Sequence, residues 1–180
     1  MILNLMSAFT FGSEMQEAAL LKYIVDTNVL IDYPDFFSYL SHVEVIVPSI
    51  VIDELNHIKD NRHSPVSAAL AQEALQSLER LAGIGDLHSG VYLQESELLV
   101  RVEECPFASE EVLSGNFCDK QILEVALAMC EEGTDVTVVT NDLGLRVRAS
   151  GKGVPSTKFP MPGTQLATLE ARTIFLEAST

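Results

Sequence analysis

The chain has 180 residues, 47% of them hydrophobic, which suits one domain with a full hydrophobic core and excludes a disordered protein. Its formal net charge of −15 is unusual for a protein that binds a polyanion, because affinity for nucleic acid comes largely from Lys and Arg side chains that neutralise phosphates. The charge is uneven: residues 95–135 hold 11 acids and 2 bases, a net charge of −9, whereas residues 136–180 hold 3 acids and 5 bases, a net charge of +2.

Apolar runs separated by polar breaks predict strands that alternate with helices. The predicted strands are residues 23–25, 43–47, 91–93, 98–102 and 136–140, with 91–93 and 98–102 as a hairpin. The predicted helices are residues 13–21, 35–40, 50–59, 65–82, 117–132, 142–149 and 164–177. Ser49 and Ser64 are predicted N-caps, and Gly83 and Gly133 are predicted to end helices. This alternation predicts a three-layer α/β/α sandwich with a central, mainly parallel sheet.

The three cysteines, Cys105, Cys118 and Cys130, do not have the spacing of a zinc site. An odd number of thiols fits a reducing cytosol better than secretion, so we expect a cytoplasmic protein. We expect Cys118 and Cys130 to pack against the core. The apolar residues 1–11 lack the basic flank of a signal peptide and are too few to span a membrane, so no membrane partner is expected.

Asp26 is an acid at the centre of an apolar run that extends from Tyr23 to Ile31. The run indicates a buried strand of a parallel sheet that ends at the acid. An unpaired carboxylate there would be costly, so we expect it to have a partner. An Asx-turn or a helix cap is the structural alternative, although Thr27 and Asn28 could cap a helix equally well.

The same pattern recurs in residues 136–142, where an apolar strand leads into Thr140, Asn141 and Asp142. In a parallel sheet, ligands bind beyond the carboxyl ends of the strands, so Asp26 and Asp142 should lie at one edge. As an acid in the first turn of a helix, Asp142 could also simply stabilise the helix dipole.

Two more acids, Glu54 and Asp119, stand near the predicted starts of helices. Asp53 competes with Glu54, because neighbours on a helix differ by about 100° and only one of them can face the site. The apolar neighbours of Glu54 favour Glu54. Asp119 follows Asn116 by three residues, which is also the pattern of a capping acid, but it borders an apolar helix face.

Four acids at one edge of a sheet repel each other, and some would hold protons unless a cation neutralised them. Mg²⁺ and Mn²⁺ prefer oxygen ligands and keep several bound waters. Such an ion can activate a water and neutralise charge on a phosphate that undergoes in-line attack. The acids therefore predict a divalent-metal site.

Four segments occur in an order and spacing that resemble those of the PIN-domain nucleases, particularly the PIN domain attached to PhoH-type ATPases. They read YIVDTNVLI at residues 23–31, PSIVIDELNHIK at 48–59, DKQIL at 119–123 and VVTNDLGLRVRA at 138–149. The resemblance implies a PIN domain at residues 22–160, an N-terminal extension at 1–20 and a C-terminal tail or helix at 161–180.

The resemblance also implies an endoribonuclease that depends on Mg²⁺ or Mn²⁺ and cleaves single-stranded RNA. Carried over residue by residue, the catalytic and metal-ligating acids are Asp26, Glu54, Asp119 and Asp142. Thr140 matches a small hydroxyl residue beside the fourth acid, and Asn28 matches the polar residue after the first. Homodimers or higher oligomers are common in the family and are expected here.

Contact with RNA is harder to assign, because so acidic a chain has few basic residues near the predicted site. Arg146, Arg148, Lys152 and Lys158 are the candidates, and solvated surface residues are the alternative. A basic partner could supply further contacts. Two other functions stay open: the toxin of a toxin–antitoxin pair, with an antitoxin as partner, or a weakly active PIN scaffold that binds protein.

Overall fold

A computed structural model of the chain describes residues 20–61, 63–105 and 115–161. The strands are β1 (Leu21–Val25), β2 (Val43–Pro48), β3 (Val91–Leu93), β4 (Leu98–Glu103), β5 (Val136–Val139) and β6 (Ser156–Thr157). The helices are α1 (Thr27–Asp32), a 3₁₀ helix (Phe36–Tyr39), α2 (Ser49–Asp60), α3 (Pro65–Ala82), α4 (Gly115–Glu131) and α5 (Leu143–Gly151). The predicted helices at 13–21 and 164–177 fall almost wholly or wholly outside the described residues.

The six strands form one sheet in the order β3-β4-β2-β1-β5-β6. All neighbouring pairs are parallel except β3 with β4, which form the predicted antiparallel hairpin. Successive strand residues point to opposite faces, and Ile24 and Val25 of β1 are both fully buried. The sheet is therefore covered on both faces, which confirms the predicted three-layer α/β/α sandwich.

β1 lies in the middle of the sheet, between β2 and β5. Its register pairs Ile24 with Ile46 on one side and Val25 with Val139 on the other. Because these strands are parallel, their carboxyl ends meet at one edge, and the segments that follow β1 and β5 lie side by side there.

An aromatic cluster joins the segment after β6 to the residues that follow α1. Phe159 is 4% exposed, and its ring packs edge-on against Tyr33 at 4.7 Å and Phe36 at 4.9 Å between centroids. Asn141 accepts a hydrogen bond from the backbone N–H of Phe159 at 3.1 Å and donates from Nδ2 to Asp32 at 3.2 Å. These contacts hold the residues after β5 in a fixed position.

Three local predictions were wrong or incomplete. Ser49 is not an N-cap, because α2 begins at Ser49 itself and its hydroxyl accepts a hydrogen bond from the backbone N–H of Cys105 at 3.1 Å. Cys130 is exposed, because the neighbouring Met129 takes the buried position of that turn of α4. The helix predicted at 35–40 is present but shorter, a 3₁₀ helix at Phe36–Tyr39.

Other helix boundaries agree with the predictions. Ser64 precedes α3, Pro65 is its first residue and Gly83 follows its end. Gly133, after α4, has a φ of 81°, a conformation that glycine adopts without steric cost. Within the described part of the chain, no helix combines the length and apolar character needed to cross a membrane.

Candidate active site

Two of the predicted acids lie at the carboxyl edge of the sheet, as expected from their positions after β1 and β5. Asp26 directly follows β1, and its backbone N–H donates to the carbonyl of Val139 at 3.0 Å. Asp142 precedes α5, and its Oδ1 accepts from the backbone N–H of Leu145 at 2.8 Å. Asp142 therefore does cap a helix, and the same geometry holds its carboxylate at the edge.

The hydroxyl of Thr140 connects these two acids. It donates to Oδ2 of Asp26 at 2.6 Å and accepts from the backbone N–H of Asp142 at 3.0 Å. Thr140 and Asp26 are almost fully buried. Asn28, which is exposed, lies with its Nδ2 3.5 Å from the same carboxylate oxygen of Asp26. Of the two predicted supporting residues, Thr140 therefore makes the shorter and more buried hydrogen bond to Asp26.

Glu54 faces the site and Asp53 faces solvent, as the apolar neighbours in α2 predicted. Oε2 of Glu54 accepts a hydrogen bond at 2.6 Å from the hydroxyl of Thr27, which is 2% exposed. Thr27 is the residue after Asp26, so this bond joins α2 to the end of β1. The sequence suggested only a capping role for Thr27, because a bond between residues 27 positions apart leaves no local pattern.

Asp119, the fifth residue of α4, forms an ion pair with an arginine. Nη2 of Arg148 in α5 donates to Oδ2 of Asp119. Arg148 was predicted as an RNA-binding residue, and in this structure its guanidinium forms an ion pair with one of the four acids.

Burial and the charges of neighbouring acids raise the pKa of Asp26 and of Asp119. The pKa of Asp26 is raised to about 6, first by burial and then by the charges of Asp119 and Glu54, against the lowering effect of the Thr140 hydrogen bond. The pKa of Asp119 is raised by burial and by Asp142 and Glu54, and lowered by Arg148. The hydrogen bonds of Thr27, Thr140 and Arg148 bring the four acids, which come from four different parts of the chain, together around the end of β1 and the first turn of α5. We refer to them as the acidic cluster.

Cys118 borders the acidic cluster, a position that the sequence did not indicate. Its side chain is buried, as predicted for a core residue. Burial, then the charge of Glu54 and a hydrogen bond to it, and then Asp119 and Asp26 raise the pKa of this thiol to about 12. Cys118 therefore stays a neutral thiol at physiological pH.

The donor chemistry of the cluster fits a hard divalent cation. All four acids offer carboxylate oxygens, and their repulsion is what a bound cation would relieve. Among the described residues, no three Asp, Glu, His or Cys side chains are grouped closely enough to hold one ion as they stand. The carboxylates would have to close in around the ion, with Asp119 exchanging its present partner.

The remaining basic candidates lie at both ends of α5 and after β6. Arg146, in the first turn of α5, is half-buried, and its Nε is buried without a hydrogen-bond partner among the described residues. Lys158 is exposed and follows Thr157, whose carbonyl accepts from the backbone N–H of Thr140, so it lies at the same sheet edge as the acids. Lys152 is exposed at the opposite end of α5 from Asp142, near the amino ends of β1 and β5.

The model of the PIN domain family matches residues 23–159, which include all four acids. The chain belongs to the PIN-domain family. PIN domains are generally nucleases, and PIN nucleases generally use divalent metal ions.

Three curated relatives of this PIN domain are each called Protein PhoH2. The protein from Thermobispora bispora is 32% identical over 139 residues, which are 76% of this chain and 31% of the relative. The protein from Mycolicibacterium smegmatis is 31% identical over 152 residues, which are 81% of this chain and 33% of the relative. The protein from Bacillus subtilis is 28% identical over 145 residues, which are 76% of this chain and 32% of the relative. The PIN domain therefore spans about a third of the length of these relatives.

Two solved structures resemble this PIN domain at low sequence identity. One is a domain of a functionally unknown protein from Methanocaldococcus jannaschii, with a TM-score of 0.49 and 17% identity, covering 78% of this chain and 92% of that one. The other is the PIN domain of T. brucei RRP44, with a TM-score of 0.47 and 15% identity, covering 91% of this chain and 86% of that one.

Proposed function

We propose that this PIN domain is a divalent-metal-dependent endoribonuclease that hydrolyses phosphodiester bonds of single-stranded RNA. The observation that carries the proposal is the convergence of four carboxylates, Asp26, Glu54, Asp119 and Asp142, which the hydrogen bonds of Thr27, Thr140 and Arg148 hold around the carboxyl end of β1 and the first turn of α5. Membership of a family of nucleases supports it.

Asp26, Asp119 and Asp142 would hold Mg²⁺ or Mn²⁺ directly or through water. Glu54 would hold a second ion or orient the attacking water. When bound, the ion supplies an activated water and neutralises charge on the phosphate. Hydrolysis in this manner leaves a 3′-hydroxyl and a 5′-phosphate.

The residues around the acids limit their motion. Thr140 fixes one oxygen of Asp26, and Thr27 fixes one oxygen of Glu54, each with a hydroxyl that donates at 2.6 Å. Both threonines are almost fully buried, so water does not compete readily for these bonds. A carboxylate whose direction is preset loses less free energy when it binds its target.

RNA would approach from the carboxyl edge beside the first turn of α5, where Arg146 and Lys158 can contact phosphates. The positive charges of these side chains would offset the repulsion between the acidic protein and the RNA phosphates. Since few cations are available, we propose that the metal ion itself contributes much of the attraction for the phosphate next to the cut.

The first test compares single-stranded RNA cleavage in Mn²⁺ by the wild type, Glu54→Gln and the matched control Asp53→Asn. We expect Glu54→Gln to lose activity by about a hundredfold or more, because an oriented acid is removed. Asp53→Asn, which neutralises the adjacent exposed acid of the same helix, should retain activity.

Asp26→Asn extends the test to the buried acid and should also be inactive. Equal cleavage by the wild type and Asp26→Asn would show that the activity resides elsewhere. A wild type that neither cleaves RNA nor binds Mn²⁺ would favour a PIN scaffold that binds protein.

A further inference from the structure

Asp119, one of the four acids, already forms an ion pair with a basic side chain of the protein. Arg148 of α5 donates from Nη2 to Oδ2 of Asp119 in α4. The side chain of Arg148 is 45% exposed and that of Asp119 is 17% exposed. The guanidinium therefore lies on the solvent side of the pair, where it can turn away from the acid without any rearrangement of the core.

Gly144 makes room for this position of Arg148. A Cβ atom on Gly144 would lie 3.2 Å from Nη1 of Arg148 and 2.9 Å from Oδ1 of Asp142. Arg148 lies one helical turn after Gly144, so its side chain folds back along α5 toward the end that carries Asp142. The guanidinium thus sits over the first turn of α5, within the acidic cluster.

A divalent cation and this guanidinium would compete for Asp119. Both are drawn to the same carboxylate, and two cations held at one oxygen would repel each other strongly in a partly buried setting. Arginine cannot release its charge by losing a proton, so it must move away instead. Its planar fork matches a phosphate as well as a carboxylate, which gives it a second partner once RNA is present.

We propose that Arg148 is a built-in counter-ion of the acidic cluster that exchanges Asp119 for a substrate phosphate when a divalent cation binds. The proposal rests on the proposed function for the identity of that substrate. Arg148 then serves as a phosphate-binding residue only in the metal-loaded protein. In the metal-free protein it keeps Asp119 in place and reduces the repulsion among the four acids.

Calorimetric titration with Mn²⁺ tests the competition. Arg148→Gln should bind Mn²⁺ with a Kd about two- to fivefold lower than the wild type, since a partly exposed ion pair contributes modestly. Lys152→Gln, which removes the same charge from the end of the same helix, should change the Kd by less than about 1.5-fold, because the charge is exposed and screened. An unchanged or higher Kd in Arg148→Gln would overturn the proposal.

Arg148→Lys keeps the positive charge and serves as the second variant if Arg148→Gln lowers thermal stability. A single ammonium group holds a carboxylate less firmly than the guanidinium fork. The Kd of this variant for Mn²⁺ should lie between those of the wild type and Arg148→Gln. A Kd above that of the wild type would contradict the competition.

RNA binding tests the exchange. Fluorescence anisotropy with a short phosphorothioate RNA, which slows cleavage, is measured in EDTA and in Mn²⁺. Arg148→Gln should match the wild type in EDTA and bind about threefold or more weakly in Mn²⁺, the loss of one phosphate contact. An equal loss of affinity in both conditions would show that Arg148 contacts RNA permanently and would reject the exchange.

The two proposals fail in different ways. If the wild type cleaves RNA but Arg148→Gln leaves the Mn²⁺ affinity unchanged, the counter-ion role is rejected and the nuclease stands. If Arg148→Gln binds Mn²⁺ more tightly while no RNA is cleaved, the competition for Asp119 is supported and the nuclease is rejected.

Discussion

At the scale of single residues, the buried Asp26 destabilises the folded protein when its carboxyl is ionised, although the proposed metal site needs it ionised. Its carboxyl is 2% exposed and close to two other acids, and its pKa is raised from 3.8 to about 6. The folded protein therefore holds this proton more tightly than the unfolded chain does. Without a cation, ionisation of Asp26 opposes folding.

We predict that the free energy of unfolding of the metal-free protein falls as the pH rises from about 4 to about 6, by about 3 kcal/mol from Asp26. Asp26→Asn removes this loss, so at pH 8 in EDTA the variant should be more stable than the wild type by about 1–3 kcal/mol. Urea unfolding at the two pH values measures both quantities. A variant that is less stable than the wild type at pH 8 would contradict the raised pKa.

The sequence predicted the four acids of the proposed site, but it did not predict most of the residues that contact them. Asp26 and Asp142 each interrupt an otherwise apolar pattern, and the choice of Glu54 over Asp53 follows from helix periodicity. Thr27, Cys118 and Gly144 gave no such signal, because their partners are distant in sequence or their role depends on space left by a missing side chain. The pairing of Arg148 with Asp119 likewise depends on how α4 and α5 are placed.

At the scale of elements, the first turn of α5 is constrained by two charged groups. Asp142 caps the helix, and Arg148 folds back over Gly144. The same helix ends in Gly151, where an added Cβ would meet nothing within 4 Å. These two glycines form a matched pair in one helix.

Replacement of these glycines by alanine should have opposite effects on stability. Alanine in a helix is normally favoured over glycine by up to about 1 kcal/mol, so Gly151→Ala should be neutral or stabilising. Gly144→Ala should be destabilising by about 1 kcal/mol, since the Cβ disturbs the Asp142 cap and displaces the Arg148 guanidinium. Thermal unfolding of both variants measures the difference, and a stabilised Gly144→Ala would show that Arg148 does not occupy this position.

All the long elements were predicted from the sequence, whereas two of the shortest were missed. The apolar repeats of α3 and α4 extend over several turns, and β2 and β5 are mostly apolar. The six-residue α1 and the two-residue β6 are too short to show a period, so neither was predicted. The prediction of Ser49 as an N-cap was wrong because its hydroxyl accepts a hydrogen bond from the backbone N–H of Cys105, which is 56 positions later in the sequence.

At the scale of the whole molecule, the net charge of −15 limits how RNA can be held. The basic candidates on the same side of the sheet as the acidic cluster are Arg146, Arg148 and Lys158, and Arg148 is shared with Asp119. The α5 crossover carries Lys152 to the opposite edge, so few cations remain beside the four acids. Binding should therefore be local and should depend on the divalent ion.

The salt dependence of RNA binding should accordingly be shallow. About three phosphate contacts with single-stranded RNA predict a slope of log K against log salt concentration of about −2. Anisotropy measured over a KCl series at constant Mn²⁺ gives this slope. A slope near −5 or steeper would require a second basic surface and would contradict binding confined to the α5 side.

The composition of the acidic cluster has a further consequence for the entropy of ion binding. Three of its four acids are aspartates, whose short side chains have few rotatable bonds to restrict. The one longer side chain, Glu54, is the one that the Thr27 hydroxyl already holds. Most of the rotational freedom that a cation would otherwise have to remove is therefore lost when the chain folds.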